Sequence, residues 1–142
     1  MHSFELKTVI AAPPHTVFAA ITDPARITQW DYCQWVQDDM CLAGRIRKRD
    51  EEGRLIESEI VVYDPPFLLG LVTPLWVNTE DSDEGTFLTR QAFSIETHEA
   101  KSVLTLKMEG FPSEELCDRE RNSWGGYFLE KLKKVAEATK EG

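Results

Sequence analysis

FPSEELCDRERNSWGGYFLEKLKKV, residues 111–135, is the stretch that decides the fold. Trp124, Phe128, Leu132 and Val135 recur in it at steps of four and three, so they fall on one helical face. Ser113 suits an N-cap, and Glu114 and Glu115 lie at the positive end of the helix dipole. Lys131, Lys133 and Lys134 lie toward the other end, again the favourable sign. Gly125-Gly126 interrupts the pattern at a cost of about 2 kcal/mol relative to alanine. Close packing against a sheet, a bend, or room for a ligand would each account for the pair.

Before this helix the chain reads as strands. Residues 4–10 alternate loosely and form a first strand, which Pro13-Pro14 stops. Val17, Phe18 and Ile21 follow at helical spacing, so residues 14–22 read as a short helix with proline in its first turn. Asp23-Pro24 starts a second, over residues 24–29. Two tandem short helices in a strand-rich chain are expected to cross from one sheet edge to the other. Strands then read at 33–38, 45–50, 54–63, 67–77, 86–96 and 101–109, with an acidic loop at 80–85. Pro74 cannot donate to a ladder and implies a bulge or an edge. The expected architecture is α+β, with an antiparallel meander of six or seven strands gripping one long helix, and residues 1–142 forming one domain.

The net charge of −9 argues against nucleic acid as a partner, because phosphates need a positive surface, and against anionic membranes. No apolar run reaches membrane-spanning length, so no membrane insertion is expected. Cys33, Cys41 and Cys117 are odd in number and widely spaced, which fits structural thiols in a reducing compartment. The N-terminus lacks a basic region followed by an apolar one, so no signal peptide is read and the cytoplasm is the expected location.

Strand parity supplies the surface that faces the helix. Ile56, Ser58, Ile60 and Val62 share one face of their strand; Phe87, Thr89, Gln91, Phe93 and Ile95 share another; Ser102, Leu104, Leu106 and Met108 a third. These faces are apolar with a few polar interruptions, which describes either a plain core or a small-molecule site. Gln91 is the most informative interruption, since a buried amide needs partners. Four tryptophans, Trp30, Trp35, Trp76 and Trp124, suit a pocket wall or a packed core equally. Arg121, three residues before Trp124 and seven before Phe128, is placed near the inner face, where it could hold a carboxylate or phenolate; pairing with an acidic neighbour is the alternative. The candidate ligand-binding residues are thus Trp30, Trp35, Ser58, Trp76, Gln91, Phe93, Met108, Arg121, Trp124 and Phe128. Glu57 and Glu59 fall on the opposite, wet face, and Arg45, Arg47, Lys48 and Arg49 read as a charged strand edge or, less expectedly, a patch for an acidic partner protein.

Catalytic signatures are missing. There is no Gly-x-Ser-x-Gly elbow, phosphate loop, dinucleotide fingerprint or His-Glu-x-x-His. No catalytic residue, cofactor or metal site is expected.

The order of elements and several strings resemble a known group. They are Ile10-Ala11-Ala12-Pro13-Pro14-His15-Thr16-Val17-Phe18-Ala19-Ala20-Ile21-Thr22-Asp23-Pro24 with Gln29-Trp30, then Asp64-Pro65-Pro66-Phe67-Leu68-Leu69, Gly110-Phe111, and Trp124-Gly125-Gly126-Tyr127-Phe128-Leu129-Glu130-Lys131-Leu132. The chain resembles the START-like helix-grip superfamily and, within it, the Hsp90-ATPase-activator-homologue-like family of small bacterial proteins. The resemblance implies a long helix gripped by a curved sheet with a cavity between them, and binding of a hydrophobic small molecule or lipid. It also brings forward two alternatives: an enzyme of polyketide cyclase/aromatase type, with Arg121 and Gln91 polarising a carbonyl, and a co-chaperone or stress-response interaction module with a chaperone as protein partner. The second domain that the eukaryotic namesakes use for docking is not read in this sequence, which weighs against the co-chaperone.

Overall fold

The computed structural model of this chain describes residues 2–31, 33–76 and 85–139. Strand β1 (His2–Ile10) is followed by helices α1 (Pro14–Thr22) and α2 (Pro24–Ile27), then strands β2 (Gln34–Asp38), β3 (Arg45–Arg49), β4 (Leu55–Asp64), β5 (Leu68–Trp76), β6 (Thr86–His98) and β7 (Lys101–Phe111). The C-terminal helix comes in three parts: α3 (Glu114–Ser123), a π-helical turn (Trp124–Phe128) and α4 (Leu129–Ala138). The acidic loop and the end of the strand expected at 67–77 fall mostly on residues 77–84, outside the described ones.

All seven strands form one antiparallel sheet in the order β1-β7-β6-β5-β4-β3-β2. β2 to β7 are a meander, and β1 pairs with β7 at the far edge. The tandem helices α1 and α2 therefore do carry the chain from one sheet edge to the other. Pro14 opens α1 at a position where its missing N–H costs nothing. Asp23 caps α2 by accepting from the Ala25 amide at 3.1 Å. α2 ends at Ile27, two residues short of the expected helix. There Gln29 Nε2 donates to the Ala25 carbonyl, which a further helical residue would have used, and Thr28 Oγ1 joins its own amide on the Pro24 carbonyl.

Ser113 is the N-cap of α3, its hydroxyl accepting from the Leu116 amide at 3.2 Å. The helix lies over β1 and β7, and its fully buried Leu132 belongs to the same core as Leu104, Leu106, Met108 and Phe111 of β7. Each such side chain contributes about 1.5–3 kcal/mol by leaving water. This half of the sheet is packed solid; the half made of β3 to β6 is not.

Two details correct the sequence reading, one of parity and one of position in the sheet. Register shifts between Ile60 and Val62, so Ile60 is buried while Val62 is turned outward and exposed. Tyr63 then takes the inner side and meets the Phe18 ring edge-on at 5.9 Å. Gly70 sits opposite the bulge, where a Cβ would come within 2.9 Å of the Val62 Cβ. The basic strand β3 is not an edge, because β2 lies outside it. Its charges are largely spoken for: Arg45 and Arg47 both pair with Glu57 at 2.8 Å, Lys48 pairs with Asp31, and Arg49 donates to the Gly53 carbonyl.

Candidate functional site

Where the helix leaves the sheet uncovered, a cavity of about 440 Å3 opens. Its floor is Ile46 and Lys48 of β3, Ile56 and Ser58 of β4, Leu71, Thr73 and Leu75 of β5, and Gln91 and Phe93 of β6. Its roof is Ile21, Ile27, Trp30 and Asp31 from the crossover, with Glu120, Trp124 and Phe128 of the C-terminal helix. Trp35 and the β3–β4 turn residues Asp50, Glu51 and Glu52 complete the lining.

The sheet itself makes the room. β4 and β5 pair from Asp64↔Leu68 to Glu59↔Val72 and no further. Beyond that point Pro74 needs no partner on the β4 side, so a proline is tolerated in an interior strand without a bulge there. The strands are stitched instead by side chains. The Ser58 and Thr73 hydroxyls lie 2.7 Å apart, Thr73 Oγ1 is 3.4 Å from Gln91 Oε1, and Thr89 Oγ1 donates to the Thr73 carbonyl at 2.8 Å. If the single Thr73 proton goes to Gln91, Ser58 must donate to Thr73. The amide nitrogen of Gln91 has no partner among the described residues, which leaves a donor available at the cavity floor.

The roof is aromatic. Trp124 is the hub, 5.8 Å from Trp30, 6.0 Å from Phe93 and 5.3 Å from Phe128, centroid to centroid. Such tilted and edge-on pairs are worth about 0.5–1.5 kcal/mol each beyond area burial, so this wall is firm. Trp30 is fixed further by its indole N–H, which donates to the Ala20 carbonyl at 2.8 Å. The Trp35 indole donates to Asp38 at 2.8 Å.

Of the ten residues chosen from sequence, Trp30, Trp35, Ser58, Gln91, Phe93, Trp124 and Phe128 line this cavity. Three do not. Met108 is fully buried on β7, in the half of the sheet that the helix covers. Trp76 ends β5 outside the lining, with the Arg54 guanidinium 4.9 Å from its ring. Arg121 turns to the outer side and pairs with Asp118 at 2.9 Å, half of its side chain in solvent. The i−3 spacing from Trp124 that placed Arg121 inside puts it on the flank; the i−4 position is the inner one, and it belongs to Glu120.

Glu120 is the residue the sequence reading missed. It stands in the stripe Leu116-Glu120-Trp124-Phe128-Leu132, spaced by four throughout, as its single charged member. That spacing was the available signal. Burial raises its carboxyl above the ordinary glutamate range, and the neighbouring Arg119 only partly opposes this. Among the described residues its carboxylate has no hydrogen bond or ion pair. Of the other acids of the lining, Asp31 is engaged by Lys48 and Asp50 and Glu52 by Arg54, while Glu51 is exposed on the β3–β4 turn. Asp50 is held below the usual carboxylate range, because the hydrogen bonds and charge of Arg54 together outweigh the opposing effect of burial.

Gly125 and Gly126 lie on the exposed side of the helix and do not face the cavity. A Cβ on Gly126 would meet nothing within 4 Å, and one on Gly125 only Leu6 at 3.7 Å. Close packing therefore does not require them, and they leave no room for a ligand. They fall within the π-helical turn, whose end residues Trp124 and Phe128, four apart, keep their rings on one face 5.3 Å apart.

Residues 11–137 match the protein family described as Activator of Hsp90 ATPase homolog 1-like protein. Solved structures share the fold. A protein of Mesorhizobium loti superposes with a TM-score of 0.79 at 18% identity, over 99% of this chain and 100% of its own. An HSP90 activator from Plasmodium falciparum gives 0.72 at 20% identity, over 95% and 96%. DynU16, a putative protein in the dynemicin biosynthetic locus, gives 0.77 at 16% identity, over 96% of this chain and 47% of its own. A search of curated proteins found no match. No helix among the described residues is long and apolar enough to cross a membrane.

Proposed function

We propose, for a chain that belongs to the Activator of Hsp90 ATPase homolog 1-like protein family, that its working part is the helix–sheet cavity and that this cavity binds an apolar small molecule or lipid-like ligand. One observation carries the reading. The space of about 440 Å3 lies within the range of small-molecule sites and has their make-up: aromatic walls with a few convergent polar groups, here Ser58, Thr73, Gln91 and Glu120. The test is titration with N-phenyl-1-naphthylamine, an uncharged probe that brightens in apolar surroundings. One-site binding is expected, and its loss in Ile56→Trp, a variant that fills the cavity and should keep its circular dichroism spectrum. No brightening, or brightening equal in the filled variant, would sink the reading.

A second reading, an enzyme of polyketide cyclase/aromatase type, is favoured by Glu120, a carboxyl with a raised pKa inside the cavity. It would act there as an acid or base, beside Gln91 as a carbonyl donor. Arg121, first considered for that donor role, is held outside by Asp118. A co-chaperone role is suggested by the family description and by the Plasmodium falciparum relative. It predicts faster ATP hydrolysis by Hsp90 on adding the protein, and unchanged rates would remove it.

A further inference from the structure

The charges around the cavity are of one sign once their internal pairs are set aside. Among the described residues Lys48 is the single cation of the lining, and Asp31 holds it. Asp50 and Glu52 share Arg54, and Glu51 is exposed on the turn. Glu120 is left, partly buried beside Trp124 and with no hydrogen bond or ion pair among the described residues; the charge of Arg119 offsets only part of the cost of its burial. An ionised carboxyl in apolar surroundings is costly until something pairs with it. A ligand ammonium group would supply that pairing. A ligand carboxylate would instead add a second uncompensated charge, since the lining has no free cation among the described residues to receive it.

The walls point the same way. The faces of Trp124, Phe93 and Phe128 attract a cation, most strongly where water is excluded. The chain's net charge of −9 concentrates cations near any opening to solvent. We propose that the ligand is a hydrophobic amine: an apolar ring body against the Trp124 cluster, with its protonated nitrogen against Glu120. This rests on the cavity-binding reading above and narrows it to one ligand class.

The experiment compares three probes with one naphthalene body by titration calorimetry of the full chain: 1-naphthylmethylamine, 1-naphthalenemethanol and 1-naphthoate. The amine is expected to bind about tenfold more tightly than the alcohol, as one charge-assisted hydrogen bond would give, and the carboxylate most weakly. Glu120→Gln should erase the amine's advantage and leave alcohol binding unchanged. Glu120→Asp, which keeps the charge, should retain part of the advantage. Asp118→Asn, which removes an equal negative charge two residues away on the outer side, should leave it intact. If the alcohol binds but the amine has no advantage, or the advantage survives Glu120→Gln, the amine inference fails and cavity binding stands. An equal loss in Asp118→Asn would reduce the effect to the general field of the protein and overturn the inference as well. If none of the three binds, both readings fall.

Discussion

The hydroxyls of Ser58 and Thr73 meet at 2.7 Å one step beyond the last backbone pair of β4 and β5. The two strands separate there to make the cavity floor, and this buried side-chain bond keeps them from separating further. Removing one partner leaves the other without its bond. Ser58→Ala is expected to cost about 1 kcal/mol, and the double change Ser58→Ala with Thr73→Val less than the sum of the single changes. Urea unfolding of the four proteins measures the coupling. Strict additivity would mean that the bond contributes nothing.

Glu120 should give stability a pH dependence of defined sign. Its folded pKa is raised above the ordinary 4.5 by burial, so the folded state holds the proton more tightly than the unfolded chain. Its contribution is complete below about pH 4.5, the model-peptide range for glutamate, and is lost as pH rises through the folded pKa. Glu120→Gln, which cannot ionise, should therefore melt higher than the native protein at pH 8, with the difference vanishing near pH 4. A constant difference across that range would contradict the burial of this carboxyl.

Arg121→Ala should change little. Its ion pair with Asp118 is a surface contact between helix neighbours, worth less than about 0.5 kcal/mol. Probe binding should be unaffected, because the guanidinium lies outside the cavity. A clear loss of binding would return Arg121 to the site.

That correction marks how far the sequence could be read. The periodicities of two and of three to four residues, with capping residues such as Asp23-Pro24, located the described strands and helices, because one face of each element is buried and the burial writes the pattern; the π-helical turn inside the last helix left no such mark. The same patterns pointed to Ser58, Gln91, Phe93, Trp124 and Phe128, and the abundance of tryptophan to Trp30 and Trp35, all of which line one cavity. They failed where a local irregularity changed the count. The bulge before Val62 reversed the parity of β4's end, and the flank position of Arg121 cannot be told from the inner position of Glu120 without knowing how the helix is rotated. Met108 sat on the right face of the wrong half of the sheet, since which half the helix covers depends on tertiary packing alone. Glu120 was passed over because a charge is ordinarily read as exposed.

Trp30→Phe tests the roof. Phenylalanine keeps a ring against Trp124 but loses the N–H that bonds the Ala20 carbonyl, leaving that buried acceptor unsatisfied. A cost of about 1–3 kcal/mol in chemical denaturation is expected, with weaker probe binding as the wall loosens. Full retention of stability and binding would show that the indole bond does not position this wall.

The glycine pair makes a last, opposite prediction. Gly126 is exposed and has right-handed helical neighbours, and a methyl group there would touch nothing within 4 Å. Alanine should therefore stabilise by about 0.5–1 kcal/mol through the lower entropy of the unfolded chain. Gly125→Ala should gain the same, since its methyl would rest on Leu6 at an ordinary 3.7 Å. The interesting measurement is the binding of the same naphthalene probe. If the π-helical turn only spaces Trp124 and Phe128, both variants will bind as the native protein does and simply melt higher. If the glycines instead let the turn open to admit a ligand, the stabilised variants will bind more slowly at similar affinity, and stopped-flow association rates separate the two cases.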